Sequence, residues 1–469
     1  MKRKAIRQLM LLDYLAAATA WFTFWMYRQH MLTHLDYITT LQKFHVRDYV
    51  NTLVIIPVCW LLAYVMSGTY FDLYRKSRLN EINRTLISCI LGCLLVSVIV
   101  FANDNGDYSY IISAFGHYLL IHTIYALVFR LYILYRVKVN LTNGTVGFNT
   151  LIIGGNQQAI NIYKKVLDNP KALGNIFKGF IYSNKEASNG MTKFLPQLGH
   201  LSQLEEIIDK HDIEEVIVAV DSSEHHLLEN IVTRLCYRPV VVKVLPDYYD
   251  IISGSVKTSN VYDAVLIHIH PDLMPDWQRV WKRLLDIFVS GLALVALSPF
   301  LIFTAIMVKL SSKGGVFYKQ ERIGRFGRPF YIYKFRSMFL EAEQAGPALS
   351  SKADPRITGW GRFMRKWRID ELPQFVNIIK GDMSLVGPRP ERKHYIDIIS
   401  GTHAHYKYLH KVKPGLTSWG MVQFGYAENV DEMIERMKYD LLYIENCSLA
   451  LDVKIILYTF MVIFQGRGK

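Results

Sequence analysis

Cysteine, proline and acidic side chains are scarce in this sequence. The 469 residues include 5 Cys and 15 Pro, and 40 Asp and Glu residues face 54 Lys and Arg residues, so the formal net charge is +14. The cysteines, at positions 59, 89, 93, 236 and 447, follow no disulfide or zinc-ligand spacing, which argues against a fold held by either. Internal repeats and low-complexity tracts are also lacking, which argues against a repeat array.

The basic excess indicates an anionic partner. Nucleic acid is one candidate, but the sequence contains no DNA-reading motif. The Lys and Arg residues instead flank apolar runs and loops with candidate catalytic residues. We therefore expect contact with an anionic membrane surface and a phosphate-bearing substrate, and no nucleic-acid partner.

Long apolar runs are abundant at the N-terminus. Four stretches, at about residues 6–27, 50–70, 84–103 and 109–130, each supply the roughly 20 residues that cross a bilayer. The opening MKRK before an apolar stretch is typical of a signal peptide, but Asp13 interrupts the run and further spans follow. We therefore predict an uncleaved four-helix transmembrane bundle over residues 1–138. Its His117 and His122 are either packing residues or a proton relay.

The charges that flank these stretches predict their orientation. Lys and Arg residues precede the first stretch and follow the second and fourth, whereas the NDNGDYS segment between the third and fourth has no base. The positive-inside rule therefore places both ends of the bundle in the cytoplasm.

Residues 148–250 alternate short β-rich runs with helical stretches, which predicts a doubly wound, Rossmann-like α/β domain in the cytoplasm. Its first turn, GGNQQA, lacks the full spacing of a dinucleotide fingerprint, so the domain is purely structural or regulatory, or it binds a nucleotide or another ligand. Residues 251–280 form a connector with an amphipathic helix from Trp277. His268 and His270 alternate like a metal pair, but no third ligand is near, which favours strand or loop positions.

A second uncharged run, Ile287–Val308, is long enough to span a membrane but contains Ser298 and Pro299. Proline removes an amide donor and clashes with the carbonyl four residues back, so the helix bends, and Ser298 can hydrogen-bond the freed carbonyl. Bases on both flanks favour the cytoplasmic side for both ends. We predict a re-entrant helix over residues 284–310, with an ordinary kinked span as the alternative.

The densest group of chemistry-bearing residues is RIDELPQFVNIIKGDMSLVGPRP at positions 368–390. Asp370 and Glu371 are adjacent carboxylates after a basic run, and Arg389 stands in a stiff Gly-Pro-Arg-Pro turn. Carboxylates among cations suit a site for a metal ion and a phosphate, and an acidic pair on the surface is the alternative. Two strands, Val316–Arg322 and Pro329–Phe335, and a helix over 359–368 are predicted before it.

This block resembles the signature of the bacterial sugar transferases, the monotopic phosphoglycosyl transferases, and the resemblance covers roughly residues 277–469. It implies an α+β catalytic domain over residues 281–469 that includes the re-entrant helix. It also implies transfer of a hexose-1-phosphate from a UDP-sugar to undecaprenyl phosphate, with release of UMP. The place of that reaction is the cytoplasmic face of the bacterial inner membrane, and its product starts exopolysaccharide, capsule or O-antigen assembly.

The resemblance also implies roles for single residues. Asp370 is the nucleophile that forms a covalent phosphoglycosyl intermediate, Glu371 assists it as a metal contact or a base, and Arg365 orients the pair. A magnesium ion bound by Asp370 and Glu371 is the expected cofactor. The expected substrate-binding residues are basic: Lys334, Arg336, Arg389 and Lys413.

Some features depart from the family pattern or leave alternatives open. Ser418 replaces the second glycine of the family segment KPGITGW, and the following residues differ from the commoner AQVNG, so the sugar is open, with UDP-glucose and UDP-galactose as the first to test. One alternative is a membrane-bound nucleotide-sugar dehydratase, which needs a complete glycine fingerprint and a Tyr-x-x-x-Lys pair that the sequence lacks. Another is a non-catalytic membrane scaffold that senses a nucleotide. A homodimer is possible.

Overall fold

The computed structural model of the chain describes residues 2–33, 37–42, 44–101, 108–168, 174–182, 190–220, 225–235, 237–244, 267–269, 273–340, 354–425 and 427–464. Two compact units divide the chain. The first consists mainly of the N-terminal helices, and the second holds most of an α/β sheet together with the region from residue 267 onward.

The first unit is a bundle of long apolar helices. Within the described residues, those long and apolar enough to cross a membrane are Lys4–Leu32, Val46–Met66, Arg78–Val100 and Tyr108–Thr142. The four stretches expected from the sequence are therefore confirmed as helices of sufficient length. The bounds are α1 Lys2–Thr33, α2 Tyr37–Gln42, α3 Val46–Val50, a π-helical turn Asn51–Ile55, α4 Ile56–Met66, α5 Arg78–Phe101 and α6 Tyr108–Thr142.

A buried ion pair joins the four long helices. Arg130 of α6 donates from Nε to Asp13 Oδ1 of α1 over 3.0 Å and from Nη2 to Oδ2 over 3.2 Å. Its Nη1 donates to Thr85 Oγ1 of α5 over 2.6 Å, and its guanidinium lies 3.9 Å from the ring centre of Tyr64 of α4. A charge in an apolar bundle is costly unless it is paired, so this network fixes which faces of the helices meet.

The histidines and cysteines of the bundle have packing environments. The His122 ring stacks on Trp60 with centroids 3.7 Å apart, and its Nε2 lies 3.1 Å from the Tyr64 hydroxyl. His117 Nε2 lies 3.1 Å from the Tyr27 hydroxyl. These contacts favour helix packing over a proton relay. The cysteines within the described residues are free, in agreement with their unpaired spacing: Cys59, Cys89, Cys93 and Cys447.

The α/β region contains a six-stranded sheet in the order β3–β2–β1–β4–β5–β6. The β2–β3 and β4–β5 pairs are parallel and β6 is antiparallel to β5. This is the strand order of doubly wound nucleotide-binding folds, so the α/β expectation is confirmed. The bounds are β1 Phe148–Ile153, α7 Gln157–Asp168, β2 Asn175–Tyr182, β3 Gln197–His200, α8 Leu204–Lys210, β4 Glu215–Val218, α9 His225–Leu235, β5 Val241–Val244 and β6 Ile267–Ile269.

The connector expected at residues 251–280 falls largely outside the described residues. His268 belongs to β6, which agrees with the strand position favoured for it, and His270 lies outside the described part of the chain. The amphipathic helix expected from Trp277 is the first part of a longer helix, α10, which runs over Asp276–Ala296.

A sharp bend separates α10 from α11 (Ser298–Ser311), and the two helices meet at 64°. Pro299 has no N–H to give to the Val295 carbonyl, and the Ser298 hydroxyl donates to that carbonyl over 2.8 Å. The break and the hydrogen bond that accompanies it are therefore as the sequence predicts. We call α10 and α11 the bent pair. Whether both of its ends lie on one side of a membrane stays a prediction.

The remaining elements form an α+β region around a β7–β8 hairpin and a parallel β9–β10 pair. The two strands predicted before the acidic pair are confirmed, and the helix predicted over 359–368 ends two residues early. The bounds are β7 Phe317–Ile323, β8 Pro329–Phe335, α12 Gly359–Lys366, α13 Gln374–Lys380, β9 Ser384–Val386, α14 Lys393–Thr402, β10 Gly415–Thr417, α15 Trp419–Gln423, α16 Val430–Glu445 and α17 Leu449–Phe464.

Candidate active site

The two adjacent carboxylates lie on a single 3-10 turn, Ile369–Glu371. Helix α12 ends at Lys366, and Arg368 then adopts a left-handed conformation with φ of 59°, which turns the chain into a new direction. The helix predicted over 359–368 therefore ends before the acidic pair, which lies on a turn of its own. Ile369 is buried in a cluster with Val308 of α11, so the turn is anchored against the bent pair.

Glu371 is surrounded by three cationic side chains. Its Oε1 accepts hydrogen bonds from Lys334 Nζ over 2.8 Å and from Arg389 Nη2 over 3.1 Å. Its Oε2 lies 3.5 Å from Arg368 Nη1. Burial by itself raises the pKa of Glu371, but the charges of Lys334, Arg389 and Arg368 outweigh it and hold that pKa well below its usual value. Glu371 is therefore ionised at neutral pH.

Asp370 has different surroundings from its neighbour. Only 7% of its surface is exposed, and within the described residues its carboxylate accepts no hydrogen bond. Burial raises the pKa of Asp370 against the opposing charge of Lys334, and the Glu371 carboxylate raises it further. The environments of two adjacent acids thus shift their pKa values in opposite directions, which is typical of a catalytic pair with divided roles.

Arg389 is presented by a stiff turn between β9 and α14. The Gly387 N–H donates to the Thr417 carbonyl over 3.0 Å, which continues the β9–β10 pairing into the turn. A Cβ at residue 387 would lie 2.3 Å from the Lys413 carbonyl oxygen, so only glycine fits there. Prolines on both sides of Arg389 restrict the backbone further, so little motion is lost when its guanidinium binds an anion.

Lys413 lies two residues before β10, the strand that pairs with β9. Its side chain lies beside Gly381 and Arg283, since a Cβ built at residue 381 would be 3.5 Å from Lys413 Nζ and 3.4 Å from Arg283 Nη2. Burial and the charge of Arg283 lower the pKa of Lys413. Lys413 is therefore not among the groups that contact Glu371, and a role in substrate binding stays a prediction.

Arg365 lies close to the pair and is held by a neighbour. It donates from Nε to Ser337 Oγ over 3.0 Å. Burial lowers the pKa of Arg365, and the charge of Asp370 opposes that change, so the two charges act on each other. This position is compatible with the orienting role expected from the sequence.

Arg336 caps the end of the bent pair. It donates from Nη1 to the Lys313 carbonyl over 2.8 Å and from Nη2 to the Ser312 carbonyl over 2.7 Å. Nη2 also lies 3.3 Å from the Val308 carbonyl. The last carbonyls of a helix have no hydrogen-bond donor within that helix, and the Arg336 guanidinium acts as the donor at the end of α11. The structure does not place Arg336 with the groups that contact Glu371, and its substrate role stays a prediction.

Sequence reasoning did not assign two further groups to the site. Arg368 contacts Glu371, as described above, and Glu391 directly follows the Gly-Pro-Arg-Pro turn. Glu391 is buried, and its two carboxylate oxygens accept from Arg322 Nη1 over 3.2 Å and from Arg436 Nη2 over 2.8 Å. The sequence signal for Arg368 was its position three residues before Glu371, and the signal for Glu391 was its position directly after the rigid turn.

Asp370 and Glu371 offer two carboxylates to a metal ion. Among the residues that the structure describes, no group of three or more His, Cys, Asp or Glu side chains is arranged to bind a metal ion. Magnesium is commonly bound by one or two carboxylates and by phosphate oxygens of the substrate. The donor set of Asp370 and Glu371 therefore fits a magnesium ion that arrives with a phosphate, and not a closed protein site.

Comparison with known proteins decides the family. A sequence model described as bacterial sugar transferase matches residues 277–466, which contain the site, and one described as CoA-binding domain matches residues 66–246. An uncharacterized sugar transferase of Haemophilus influenzae is 30% identical over 423 residues, which are 84% of this chain and 84% of the relative. The chain belongs to the bacterial sugar transferase family. The resemblance drawn from residues 368–390 is thereby confirmed.

Two further family members are similar over more than half of the chain. The UDP-N-acetylgalactosamine-undecaprenyl-phosphate N-acetylgalactosaminephosphotransferase of Aeromonas hydrophila is 36% identical over 281 residues, 59% of this chain and 66% of the relative. The UDP-glucose:undecaprenyl-phosphate glucose-1-phosphate transferase of Klebsiella pneumoniae is 34% identical over 274 residues, 57% of each chain. The matches thus span just under two thirds, and just over half, of these relatives.

Proposed function

We propose that this chain transfers a hexose-1-phosphate from a UDP-sugar to undecaprenyl phosphate and releases UMP. One observation carries the proposal: Glu371 is ion-paired to three cations, while the neighbouring buried Asp370 carboxylate accepts no hydrogen bond within the described residues. Such a site offers a nucleophile beside cations that neutralise phosphate oxygens. The names of the Aeromonas and Klebsiella relatives support the acceptor and the donor class.

The proposed reaction consists of two displacements at one phosphorus atom. A carboxylate oxygen of Asp370 attacks the phosphorus that carries the sugar. The bond from that phosphorus to the bridging oxygen breaks, and UMP leaves with the oxygen and the electron pair. A phosphate oxygen of undecaprenyl phosphate then attacks the same phosphorus, and Asp370 leaves as the carboxylate it was at the start.

The cations around Glu371 serve the phosphate groups. Lys334, Arg368 and Arg389 contact Glu371 before substrate binds, and the oxygens of an incoming diphosphate compete for the same donors. Substrate binding therefore exchanges carboxylate contacts for phosphate contacts, and the three cations keep an anionic partner. When bound by Asp370 and Glu371, magnesium supplies further positive charge to the phosphoryl oxygens.

Product analysis tests the reaction. We expect purified membranes that contain the chain to convert radiolabelled undecaprenyl phosphate and one UDP-sugar of a panel into lipid-linked sugar and UMP in equal amounts. A chelator of divalent cations stops both products, and added magnesium restores them. The panel contains UDP-glucose, UDP-galactose and their 2-acetamido counterparts.

The same assay distinguishes the alternatives. A dehydrated sugar nucleotide without a lipid product would indicate a dehydratase. Release of UDP instead of UMP would exclude attack at the sugar-bearing phosphorus. Binding of a UDP-sugar without any turnover would favour the scaffold and would contradict the proposal.

The bent pair is proposed to enter and leave the bacterial inner membrane from the cytoplasmic side. The 64° bend and the bases on both flanks support this topology. In a chain without native cysteines, we expect Pro275→Cys and Lys313→Cys to react with a membrane-impermeant reagent only after the inner membrane is opened. Labelling of one site from the periplasm with protection of the other would indicate a kinked span. If both sites also react only after the inner membrane is opened in a Pro299→Ala background, proline does not set the topology.

A further inference from the structure

The short helix α15 contacts the arginine that binds the acidic pair. Arg389 donates from Nη2 to Glu371 Oε1 over 3.1 Å and from Nη1 to Met421 Sδ over 3.6 Å. Met421 is partly buried and follows Trp419 by two residues. One guanidinium therefore separates Met421 from the carboxylates, and the proposed chemistry gives this methionine no task.

The backbone of α15 is held in place from two directions. Ser418 Oγ accepts the N–H of Met421 over 3.0 Å, and Asp440 Oδ1 accepts the N–H of Gly420 over 2.9 Å. A Cβ at residue 420 would lie 2.7 Å from Arg436 Cγ, so no larger residue fits beneath the helix. Because the backbone is fixed, the identity of the side chain at residue 421 determines what faces the arginine.

The sugar of the donor lies close to this position if the transfer runs as proposed. Asp370 attacks the phosphorus that carries the sugar, and Arg389 binds beside the neighbouring acid, at the oxygens of that phosphorus. The sugar is attached to the same phosphorus through its anomeric oxygen. Its C2 substituent is the ring substituent nearest to that oxygen, so this substituent is the one that meets a wall next to the arginine.

We propose that Met421 is a specificity-determining residue that favours donors with a 2-acetamido group over donors with a 2-hydroxyl group. This inference rests on the proposed transfer reaction. The thioether is apolar and has no hydrogen-bond donor, so it packs well against the acetamido methyl group. A hydroxyl group against the same wall loses its bonds to water and gains none, which lowers its relative turnover.

Selectivity ratios test the inference. We expect the wild-type chain to use UDP-N-acetylglucosamine or UDP-N-acetylgalactosamine with higher kcat/KM than UDP-glucose and UDP-galactose. Met421→Gln preserves side-chain length but adds a donor and an acceptor, and we expect it to reduce the preference by about tenfold or more. Gln423→Met is the matched control, because residue 423 is exposed on the same helix, and it keeps the wild-type ratio.

Each outcome supports or overturns the inference. A wild-type preference for UDP-glucose or UDP-galactose overturns it, as does an unchanged ratio in Met421→Gln. If Met421→Gln is inactive with every donor, Met421→Leu decides, since it keeps the apolar wall and must keep the preference. Absence of UMP release by the wild-type chain with all four donors overturns the transfer reaction itself, so the two failures are distinguishable. The ratio of kcat/KM values for two donors, measured on one preparation of a variant, does not depend on the folded fraction of that preparation.

Discussion

Asp370→Asn is expected to form no lipid-linked sugar and to release no UMP. Asparagine has nearly the same size, but its amide does not attack phosphorus, so the route through a covalent intermediate is closed. Loss of a group that forms such an intermediate lowers turnover by about 10³-fold or more. The measurement is UMP release from the preferred UDP-sugar in membranes matched for protein amount.

A trapping experiment identifies the bonded atom directly. Without acceptor, a donor labelled in the sugar-bearing phosphate should label the wild-type chain and leave Asp370→Asn unlabelled. Asp397→Asn is the control, because Asp397 is an exposed acid on α14, and it retains the label. Normal turnover by Asp370→Asn, or label retained on that variant, would refute the assignment of the nucleophile.

Glu371→Gln is expected to destabilise the region around the site. Lys334, Arg368 and Arg389 keep their charges in a largely buried position, and the glutamine amide offers no counter-charge. Removal of one partner from a buried ion pair costs about 3–5 kcal/mol. The chain has several domains, so a single unfolding midpoint is a poor measure. Hydrogen exchange of the backbone amides over residues 330–390 reports the local opening free energy instead.

The pH dependence of this loss has a definite sign. The pKa of Glu371 is lowered in the folded chain, so its ion pairs contribute their full stability above the unfolded pKa, about 4.3 for glutamate. That contribution is lost as pH falls through the folded pKa. The difference between wild type and Glu371→Gln should therefore be constant near neutral pH and shrink in acid.

A double variant provides the control for the ion pairs. Adding Lys334→Met to Glu371→Gln removes one buried cation that has lost its partner, so the double variant should be less destabilised than the sum of the single ones. The ion-pair explanation would be contradicted if the stability losses of the two single variants were additive and the stability difference between wild type and Glu371→Gln did not change with pH.

The features best predicted from the sequence depend on local rules. The break at Ser298 and Pro299 follows from one missing N–H, and the structure shows both the bend and the serine hydrogen bond. The apolar stretches and the alternation of residues 148–250 likewise reflect burial patterns that adjacent residues share. The pairing of Asp370 with Glu371 was visible because the two are neighbours in the chain.

The partners of the acids depend on tertiary structure, which the sequence does not display. Lys334 and Arg336 lie two residues apart and looked equivalent, yet Lys334 contacts Glu371 whereas Arg336 caps α11. The left-handed conformation of Arg368 is rare for a residue with a side chain, and no local rule predicts it. The substrate role of Lys413 stays a prediction, whereas the Gly415 N–H of the same segment donates to the Pro388 carbonyl of the Arg389 turn over 2.9 Å, a contact that no local rule predicts.

The cap that Arg336 places on α11 has a mechanical consequence. The strand that carries Lys334 is fastened, two residues further on, to the last carbonyls of the bent pair. A displacement of the end of the bent pair is therefore transmitted to Lys334 through a short stretch of hydrogen-bonded chain. If the bent pair enters a membrane as proposed, a change in bilayer thickness would move the bent pair and the ammonium group of Lys334 together.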